Sequence, residues 1–251
     1  MNFLEKLFSL KSKVIIVTGG SRGIGYSLVK NLSTAGATVI GVGRSKNIKY
    51  DFSENATYIQ CDLTDHKKFQ EICKSIFKKH GSIYGLLNAA GISIQNNANK
   101  NKIENFIKTI DVNLNSVYAA CHSVHPFMKK SGGGSIINIT SIGAFLSFPN
   151  NPGYQSSKAG LTMLTKSLAS DYSADNIRVN NITPGYFKTD MTKKSYQDKN
   201  LKKERINRML IPRWGELDDL FGASIFLMSD SSGYITGIDL VIDGGWMAKG
   251  L

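Results

Sequence analysis

Short apolar runs alternate with amphipathic segments from one end of the chain to the other. The apolar runs have the length and β-branched content of buried strands, and they lie at 14–20, 37–43, 57–61, 83–91, 135–141, 177–183 and 238–242. Segments with helical spacing lie between them, at 23–35, 66–79, 103–130, 152–174 and 216–229. Asp65 stands where a helix cap is expected, and we expect Pro126 to kink or close the third helical segment.

This alternation predicts an α/β fold, a single-domain doubly wound (Rossmann) parallel sheet of about seven strands with helices on both faces. We expect one domain over residues 1–251, because no linker, repeat or low-complexity segment interrupts the pattern. Ligands of such sheets bind beyond the carboxyl ends of the strands. The residues that follow the predicted strands are therefore the candidates for chemistry.

The chain has a formal net charge of +12 and three cysteines, Cys61, Cys73 and Cys121. An odd number without a C-x-x-C pair argues against a disulfide framework or a zinc ribbon and favours a reduced, cytoplasmic setting. The apolar runs are shorter than the ~18 residues that a membrane span needs, so no membrane segment is expected. Residues 1–13 lack the apolar core of a signal peptide, and we expect them to be a short lead-in to the first strand.

The positive charge is compatible with nucleic acid, an anionic membrane surface or an anionic small ligand. Neither a nucleic-acid-binding module nor a basic face interleaved with aromatic residues is present, so nucleic-acid binding is only a remote alternative. His122 and His125 are three residues apart on a predicted helix. No cysteine or acid stands at ligand spacing from them, and we expect no metal site.

A glycine-rich turn joins the first predicted strand to the first helix, with Gly19, Gly23 and Gly25 in the spacing G-x-x-x-G-x-G. Gly19 allows a tight turn, Gly23 allows close approach to a pyrophosphate, and Gly25 allows close packing of helix on strand. The helix N-terminus adds free N–H groups and a partial positive charge. This glycine spacing, in a turn that follows a strand and precedes a helix, predicts a dinucleotide-binding site.

The end of the second predicted strand carries Arg44 in place of the acid that usually binds an NAD ribose. The planar guanidinium of Arg44 suits a 2′-phosphate, which it can bind bidentately. Arg22 of the glycine turn could reach the same phosphate. The sequence therefore favours NADP(H) over NAD(H). The alternative is a solvated basic turn.

Two Tyr/Lys pairs have the i, i+4 spacing that places both side chains on one helix face, Tyr154/Lys158 and Tyr26/Lys30. Only the first pair follows a strand that ends in a hydroxyl, that of Ser141. A tyrosine of pKa ~10 is a poor proton donor and acceptor at neutral pH, but a nearby ammonium lowers its pKa. Ser141 can hold a substrate oxygen against the tyrosine, so this set suits hydride transfer between a nicotinamide and a carbonyl or alcohol carbon.

Over nearly its whole length the chain resembles the short-chain dehydrogenase/reductase family. The matching segments are TGGSRGIG (18–25), CDLTD (61–65), NAAG (88–91), VNLNSVY (112–118), ITSIGA (139–144), YQSSK (154–158), NNITPGYFKT (180–189) and IDGGW (242–246). One difference is Ala89, where the family's N-N-A-G turn usually has asparagine. The resemblance implies a cofactor half at about 11–135, a catalytic half at about 135–251 and a substrate lid at about 186–213.

The resemblance also implies residue roles. Tyr154 would be the general acid/base, Lys158 would tune its pKa and bind the nicotinamide ribose, and Ser141 would orient the substrate. Asn113 would hold a water that links Lys158 to solvent. Asp62 would bind the adenine amino group and Asn88 would support the adenine ribose. The remaining expected cofactor contacts are Gly19, Ser21, Arg22, Gly23, Ile24, Gly25, Arg44, Ser45, Leu63, Ala89, Gly91, Pro184, Gly185, Phe187 and Thr189.

The substrate class stays open at this point. The tail from Pro212 to Trp246 resembles sugar-acid dehydrogenases that act on gluconate-like substrates, but 3-oxoacyl-[acyl-carrier-protein] reductases share most of the motifs. The arginines that many sugar-acid members have after the N-A-G turn are absent from Ile92–Gln95. A non-catalytic dinucleotide-binding protein is a further, remote alternative.

Two more expectations concern the lid and the assembly. Between Lys188 and Arg213 nine basic residues face three acids, a net charge of +6. These basic residues either form a solvated helix face or attract an anionic substrate. The resemblance implies a homotetramer, or a homodimer, built from the helices at about 103–130 and 152–174 and from the last strand.

Overall fold

Seven parallel strands form one sheet in the computed structural model, which describes residues 3–46, 48, 54–95 and 102–249. The strands are β1 (Val14–Thr18), β2 (Thr38–Gly43), β3 (Ala56–Gln60), β4 (Gly85–Asn88), β5 (Gly134–Ile139), β6 (Ile177–Pro184) and β7 (Asp239–Ile242). Their order in the sheet is β3-β2-β1-β4-β5-β6-β7. The direction of winding changes between β1 and β4, which confirms the predicted doubly wound parallel sheet.

Helices cover both faces of this sheet. They are α1 (Phe3–Phe8), α2 (Gly23–Thr34), α3 (His66–His80), α4 (Lys102–Ile110), α5 (Ser116–Lys130), α6 (Pro152–Asp171), α7 (Lys193–Gln197), α8 (Lys199–Asn207) and α9 (Phe221–Met228). Apolar residues of α3, α5 and α6 form the core on one face, and those of α2 and α9 form the core on the other. The Asp65 carboxylate accepts a hydrogen bond from the backbone N–H of Lys68 at 3.1 Å and caps α3 as predicted.

The helical stretch predicted over 103–130 is confirmed in extent, but a π-helical turn that the prediction did not include divides it. A π-helical turn at Asp111–Asn115 separates α4 from α5. Asn113 lies in the turn and hydrogen-bonds the backbone of Ile92, a contact distant in sequence that periodicity does not reveal. Turns of this kind are frequent at functional sites. Pro126 lies inside α5, which continues to Lys130.

Three other segments differ from the prediction. The lead-in contains the helix α1, which has no buried residue and so leaves no core-facing stripe in the sequence. The segment 186–213 contains the short helices α7 and α8. The predicted helix at 216–229 starts as a 3₁₀ turn, because the side chains of Glu216 and Asp219 cap each other's backbone, and α9 begins only at Phe221.

A row of polar side chains crosses the sheet at one level. Thr18, Asn88, Asn138, Asn181 and Asp239 are register partners on successive strands, from β1 to β7. Hydrogen bonds connect the row, including Asn88 Nδ2 to Asn138 Oδ1 at 2.9 Å and Asn181 Nδ2 to Asp239 Oδ1 at 2.7 Å. Buried polar groups must be paired in this way. The row therefore fixes the strands relative to each other near the edge where the candidate residues lie.

Among the described residues, none of the helices combines the length and the apolar character that a bilayer crossing requires.

Candidate active site

The glycine turn packs directly against the end of β4. Gly19 has a φ of +71°, and a Cβ there would lie 2.7 Å from the backbone nitrogen of Ala90. A Cβ on Gly25 would lie 2.3 Å from the carbonyl oxygen of Gly19. Real Cβ atoms do not approach so closely, so both positions require glycine. Gly25 of α2 therefore packs against the glycine turn that precedes its own helix.

Gly23 begins α2 and has a different environment. A Cβ there would meet only Thr189, at 4.0 Å, among the described residues. The Arg22 side chain, for its part, makes no capping hydrogen bond to this helix within the described part of the chain. The first N–H groups of α2 therefore border a space into which a phosphate fits.

The end of β2 lies beside this turn. The Ser45 hydroxyl donates to the Ser21 hydroxyl at 3.3 Å, and Gln60 Nε2 donates to the carbonyl oxygen of Arg44 at 3.0 Å. Arg22, Arg44 and Ser45 are exposed, and Ser21 and Ile24 are partly buried. The structure thus brings Ser21 and Ser45 together, with two exposed arginines in the adjoining segments.

Tyr58 of β3 belongs to the same cluster and was missed in the sequence. Its hydroxyl donates to the carbonyl oxygen of Ser45 at 3.1 Å. Burial raises the pKa of Tyr58, while hydrogen bonds with Ser21 and the Ser45 backbone partly oppose that rise. Tyr58 is the register partner of Gly41, and the space above Gly41 and Gly43 accommodates its ring. Gly41 and Gly43 alternate along β2, and this spacing was the sequence signal that a large side chain of the neighbouring strand packs over them.

The other predicted adenosine contacts lie at the neighbouring strand ends. Asp62 is exposed just after β3, and its Oδ1 accepts hydrogen bonds from the backbone N–H and the hydroxyl of Thr64. Leu63 beside it is buried. Asn88 is buried in the polar row beneath the turn, and Ala89 and Gly91 follow it, partly buried.

The segment after β6 returns toward the glycine turn. Pro184 ends the strand, and the N–H of Gly185 donates to the carbonyl oxygen of Ile242 at 2.9 Å. Phe187 is buried with its ring against Gly215, where a Cβ would lie 2.6 Å from the ring. Thr189 reaches Gly23, so the structure brings the predicted contacts on the two halves of the chain together.

Ser141, Tyr154 and Lys158 also come together. Ser141 follows β5 and accepts a hydrogen bond from the N–H of Gly143 at 3.0 Å, and its side chain is close enough to the Tyr154 phenol to lower the pKa of Tyr154. Lys158 Nζ lies 5.8 Å from the centre of the Tyr154 ring and donates to the carbonyl oxygen of Ile139 at 2.7 Å. Lys30 of the rival pair is exposed, whereas Lys158 is 5% exposed.

The electrostatics of the pair differ from the expectation. Burial lowers the pKa of Lys158 from 10.5 to about 8. Burial also raises the pKa of Tyr154, with a further rise from Tyr186 and a partial lowering from the hydrogen bond with Ser141. The expected lowering of the tyrosine pKa is therefore not found, because desolvation disfavours the charged form of each group.

Asn113 connects this pair to the loop after β4. Its Oδ1 accepts from the N–H of Ile92 at 2.8 Å, and its Nδ2 donates to the carbonyl oxygen of Ile92 at 2.9 Å and to Ser157 Oγ at 3.1 Å. A Cβ on Gly91 would lie 3.4 Å from Asn113 Oδ1 and 3.7 Å from Lys158 Nζ. Asn113 therefore lies close to Lys158, at the π-helical turn.

An aromatic wall, formed by Phe148, Tyr186, Trp214 and Trp246, stands beside Tyr154 and was not predicted. The Tyr186 ring is 6.3 Å from Phe148, 5.3 Å from Trp214 and 4.9 Å from Trp246, centre to centre. A Cβ on Gly143 would lie 3.6 Å from both Phe148 and Tyr154, which connects the wall to Tyr154. These aromatic residues are far apart in sequence, and only the fold collects them.

The arrangement is that of a dinucleotide-dependent oxidoreductase: a glycine turn at a helix N-terminus, and a hydroxyl, a phenol and a buried lysine within the same crevice. Residues 19–247 match the family described as enoyl-(acyl carrier protein) reductase. The chain belongs to this family of short-chain dehydrogenases/reductases. It is an oxidoreductase that acts on CH–OH groups with NAD or NADP.

Two curated relatives illustrate the range of the family. The chain is 34% identical to the 2-dehydro-3-deoxy-D-gluconate 5-dehydrogenase of Bacillus subtilis, over 99% of this chain and 100% of the relative. It is 36% identical to the 3-oxoacyl-[acyl-carrier-protein] reductase of Chlamydia pneumoniae, over 94% and 98% of the two chains.

A solved structure is similar over the same extent. The gluconate 5-dehydrogenase of Burkholderia cenocepacia, in complex with NADP and tartrate, superposes with a TM-score of 0.90 at 28% identity. The match covers 98% of this chain and 100% of that one.

Proposed function

We propose that the chain is an NADP(H)-dependent enzyme that interconverts a ketone and a secondary alcohol on a small anionic or polyhydroxylated substrate such as a sugar acid. The observation that carries the proposal is that Ser141 and Tyr154 come together beside the buried Lys158, whose Nζ lies 5.8 Å from the centre of the Tyr154 ring. Sugar-acid dehydrogenases among the relatives and structural neighbours support the substrate class.

Tyr154 supplies the proton in this proposal. Bound NADP(H) would give or take the hydride, and the substrate oxygen that changes charge needs a proton donor within hydrogen-bond reach. Tyr154 gives that proton in reduction and takes it in oxidation, and Ser141 holds the oxygen against the phenol. Lys158, fixed by Ile139 and placed beside Asn113, stabilises the phenolate as the proton leaves.

The cofactor choice follows from the two exposed arginines. The space bordered by α2 suits the pyrophosphate, and Ser21, Ser45, Arg22 and Arg44 offer hydroxyls and guanidinium groups to a 2′-phosphate. The remaining predicted contacts, on β3, β4 and the segment after β6, would hold the rest of the dinucleotide. The complex of a structural neighbour with NADP supports this choice for our chain.

A panel of substrates tests the function. We expect the enzyme to reduce 5-dehydro-D-gluconate with NADPH, followed by the loss of the absorbance of the reduced nicotinamide. Tyr154→Phe should abolish most of that reduction. An enzyme that reduces acetoacetyl-CoA and leaves sugar acids untouched contradicts the sugar-acid assignment.

The second candidate is a 3-oxoacyl-[acyl-carrier-protein] reductase. The 36% identity to such a reductase favours it, and so does the basic segment 186–213, which suits an acidic carrier protein. The same panel separates the candidates, because a carrier-protein reductase turns over acetoacetyl-CoA and does not require a sugar hydroxyl.

The assembly proposed with this function is a homotetramer, or a homodimer, in the cytoplasm. Exposed apolar side chains on α4, α5 and α6 support an interface there; they are Ile103, Phe106, Ile107, Tyr118 and Met163. β7 is the last strand of the sheet in the described residues, and Val241 on it is 39% exposed. The free thiols of Cys61, Cys73 and Cys121 suit a reducing compartment.

A further inference from the structure

The basic residues of the segment 186–213 do not share one environment. Lys188 pairs with Glu216, and Arg213 pairs with Asp219 through two hydrogen bonds of 2.6 and 2.8 Å. Lys199 and Lys203 are exposed on α8. Arg205, on the same helix, instead turns inward onto the aromatic wall.

The guanidinium of Arg205 lies over the Tyr186 ring, with its Cζ 4.7 Å from the ring centre. Tyr186 packs on Phe148 and Trp246, and Phe148 lies beside Gly143, where a Cβ would be 3.6 Å from both Phe148 and Tyr154. A cation thus lies on the aromatic wall that adjoins Tyr154, whose phenol is the proposed proton donor. The side chain of Arg205 is 20% exposed, so it is largely desolvated.

Arg205 has no strong acidic partner among the described residues. Its nearest acid is Glu204, its own neighbour in sequence, at 3.9 Å and 58% exposed. The Nε of Arg205 is buried without a hydrogen-bond acceptor in the described part of the chain, and so is Nε1 of Trp214, whose ring also contacts Tyr186. A buried donor left unpaired is unfavourable, so an acceptor supplied by a ligand is favoured here.

We propose that Arg205 is a specificity-determining residue that binds the carboxylate of the substrate. This inference rests on the proposed function and adds the group that recognises the anion. A planar guanidinium fork matches a carboxylate through two parallel N–H···O bonds, and Tyr186 holds the fork in place. Arg208, whose Cζ lies 5.7 Å from the centre of the Trp246 ring, adds a second cation to the same wall.

The proposal explains how a sugar acid can be recognised without the arginines that other members have after the N-A-G turn. Here that loop carries Ser93, which accepts a hydrogen bond from Asn151 Nδ2 at 2.7 Å. The neutral pair lies on the side of the site formed by β4 and α6, and the cation comes from α8. The carboxylate and the reacting carbon are then held by different parts of the chain.

Two pairs of compounds isolate the carboxylate. L-Sorbose is 5-dehydro-D-gluconate with a hydroxymethyl group in place of the carboxylate, and D-glucitol has the same relation to D-gluconate. Reduction of the first pair with NADPH gives kcat/KM, and calorimetric titration of the second pair into the NADP-loaded enzyme gives Kd. The variants are Arg205→Gln, Arg205→Lys and, as a matched control, Lys199→Gln, which removes an exposed charge from the same helix.

We expect Arg205→Gln to lower kcat/KM for 5-dehydro-D-gluconate and to weaken D-gluconate binding by about 10–100-fold, the usual worth of a charge-assisted hydrogen bond. The values for L-sorbose and D-glucitol should change by less than about threefold, and Lys199→Gln should change each of the four values by less than about threefold as well. Arg205→Lys should restore only part of the loss.

The possible failures are distinguishable. If the wild type prefers the anions and Arg205→Gln keeps that preference, the sugar-acid function stands and the role of Arg205 is wrong. Equal losses for the anionic and neutral compounds make Arg205 a packing residue and overturn the proposal. If the wild type does not distinguish the compounds of each pair, both the anionic substrate class and the role of Arg205 are wrong.

Discussion

The Lys158 ammonium donates a hydrogen bond to the carbonyl oxygen of Ile139, at 2.7 Å, and lies 5.8 Å from the ring centre of Tyr154, the candidate catalytic phenol. This bond links the end of β5 to α6 and fixes the lysine relative to Ser141, two residues beyond Ile139. The lysine is nevertheless buried, and burial keeps its pKa well below the ordinary value. A consequence for stability follows.

Stability should depend on pH through Lys158. The folded lysine loses its proton at about pH 8 and the unfolded one at 10.5, so the unfolded state binds more protons between these values. The free energy of unfolding of the wild type should therefore rise relative to Lys158→Met across this window, by on the order of 3 kcal/mol. Urea unfolding of both proteins at the two ends of the window measures the difference. A constant difference across the window contradicts the lowered pKa.

Tyr154→Phe should leave cofactor binding nearly intact and lower turnover by roughly 10²–10⁴-fold, the usual contribution of acid/base catalysis. Lys158→Ala should harm both binding and turnover. Steady-state kinetics and the quenching of protein fluorescence by NADPH measure the two effects. Tyr26→Phe is the control, from the rival pair whose lysine is exposed. Loss of activity in that control, with normal turnover in Tyr154→Phe, would mean that the wrong pair was chosen.

Arg44→Asp should weaken NADPH binding by about 10–100-fold and affect NADH less, because it replaces a phosphate partner by a repelling charge. The ratio of the two dissociation constants, from fluorescence titration, is the measurement. Lys79→Asp in the last turn of α3 makes the same charge change at an exposed position, at the end of that helix away from Asp62, and is the control. A wild type that binds NADH tenfold more tightly than NADPH would refute the cofactor assignment.

How much the sequence predicts depends on whether a signal is local. The strand ends, the glycine turn and the Asp65 cap are local, since each is set by neighbouring residues, and the structure has them where the pattern places them. The π-helical turn has no local signal, because it depends on the contact of Asn113 with Ile92. The inward position of Arg205 is not local either. Its helix has two exposed lysines with the same charge, and only Tyr186, brought in from the end of β6, distinguishes it.

Ile107→Glu should dissociate the proposed oligomer. Ile107 is 59% exposed on α4, beside a concave surface lined by Phe106 and Ile110, and a buried charge without a partner disfavours an apolar interface. Light scattering after size exclusion gives the mass, and circular dichroism checks the fold. Leu4→Glu, at an exposed apolar position of α1, is the control that should stay assembled. A monomeric wild type at micromolar concentration would refute the assembly itself.

The last prediction concerns the exposed charges of the segment 186–213. With Lys188 and Arg213 paired to acids and Arg205 turned inward, a long-range field must come from the other basic side chains, among them the exposed Lys203 and the half-buried Lys202, whose Nζ lies over the Tyr196 ring. Exposed charges attract an anionic substrate over a distance that salt shortens. The kcat/KM for 5-dehydro-D-gluconate should therefore fall as salt rises from about 20 to about 300 mM, with little change in kcat. Reversal of Lys202 and Lys203 to Glu should remove most of this dependence, whereas Arg205→Gln should lower kcat/KM at every salt concentration and keep the slope. L-Sorbose provides the neutral comparison. If kcat/KM for L-sorbose responds to salt as kcat/KM for the anion does, the basic residues of this segment only form a solvated surface. Substrate choice then depends on contacts inside the site.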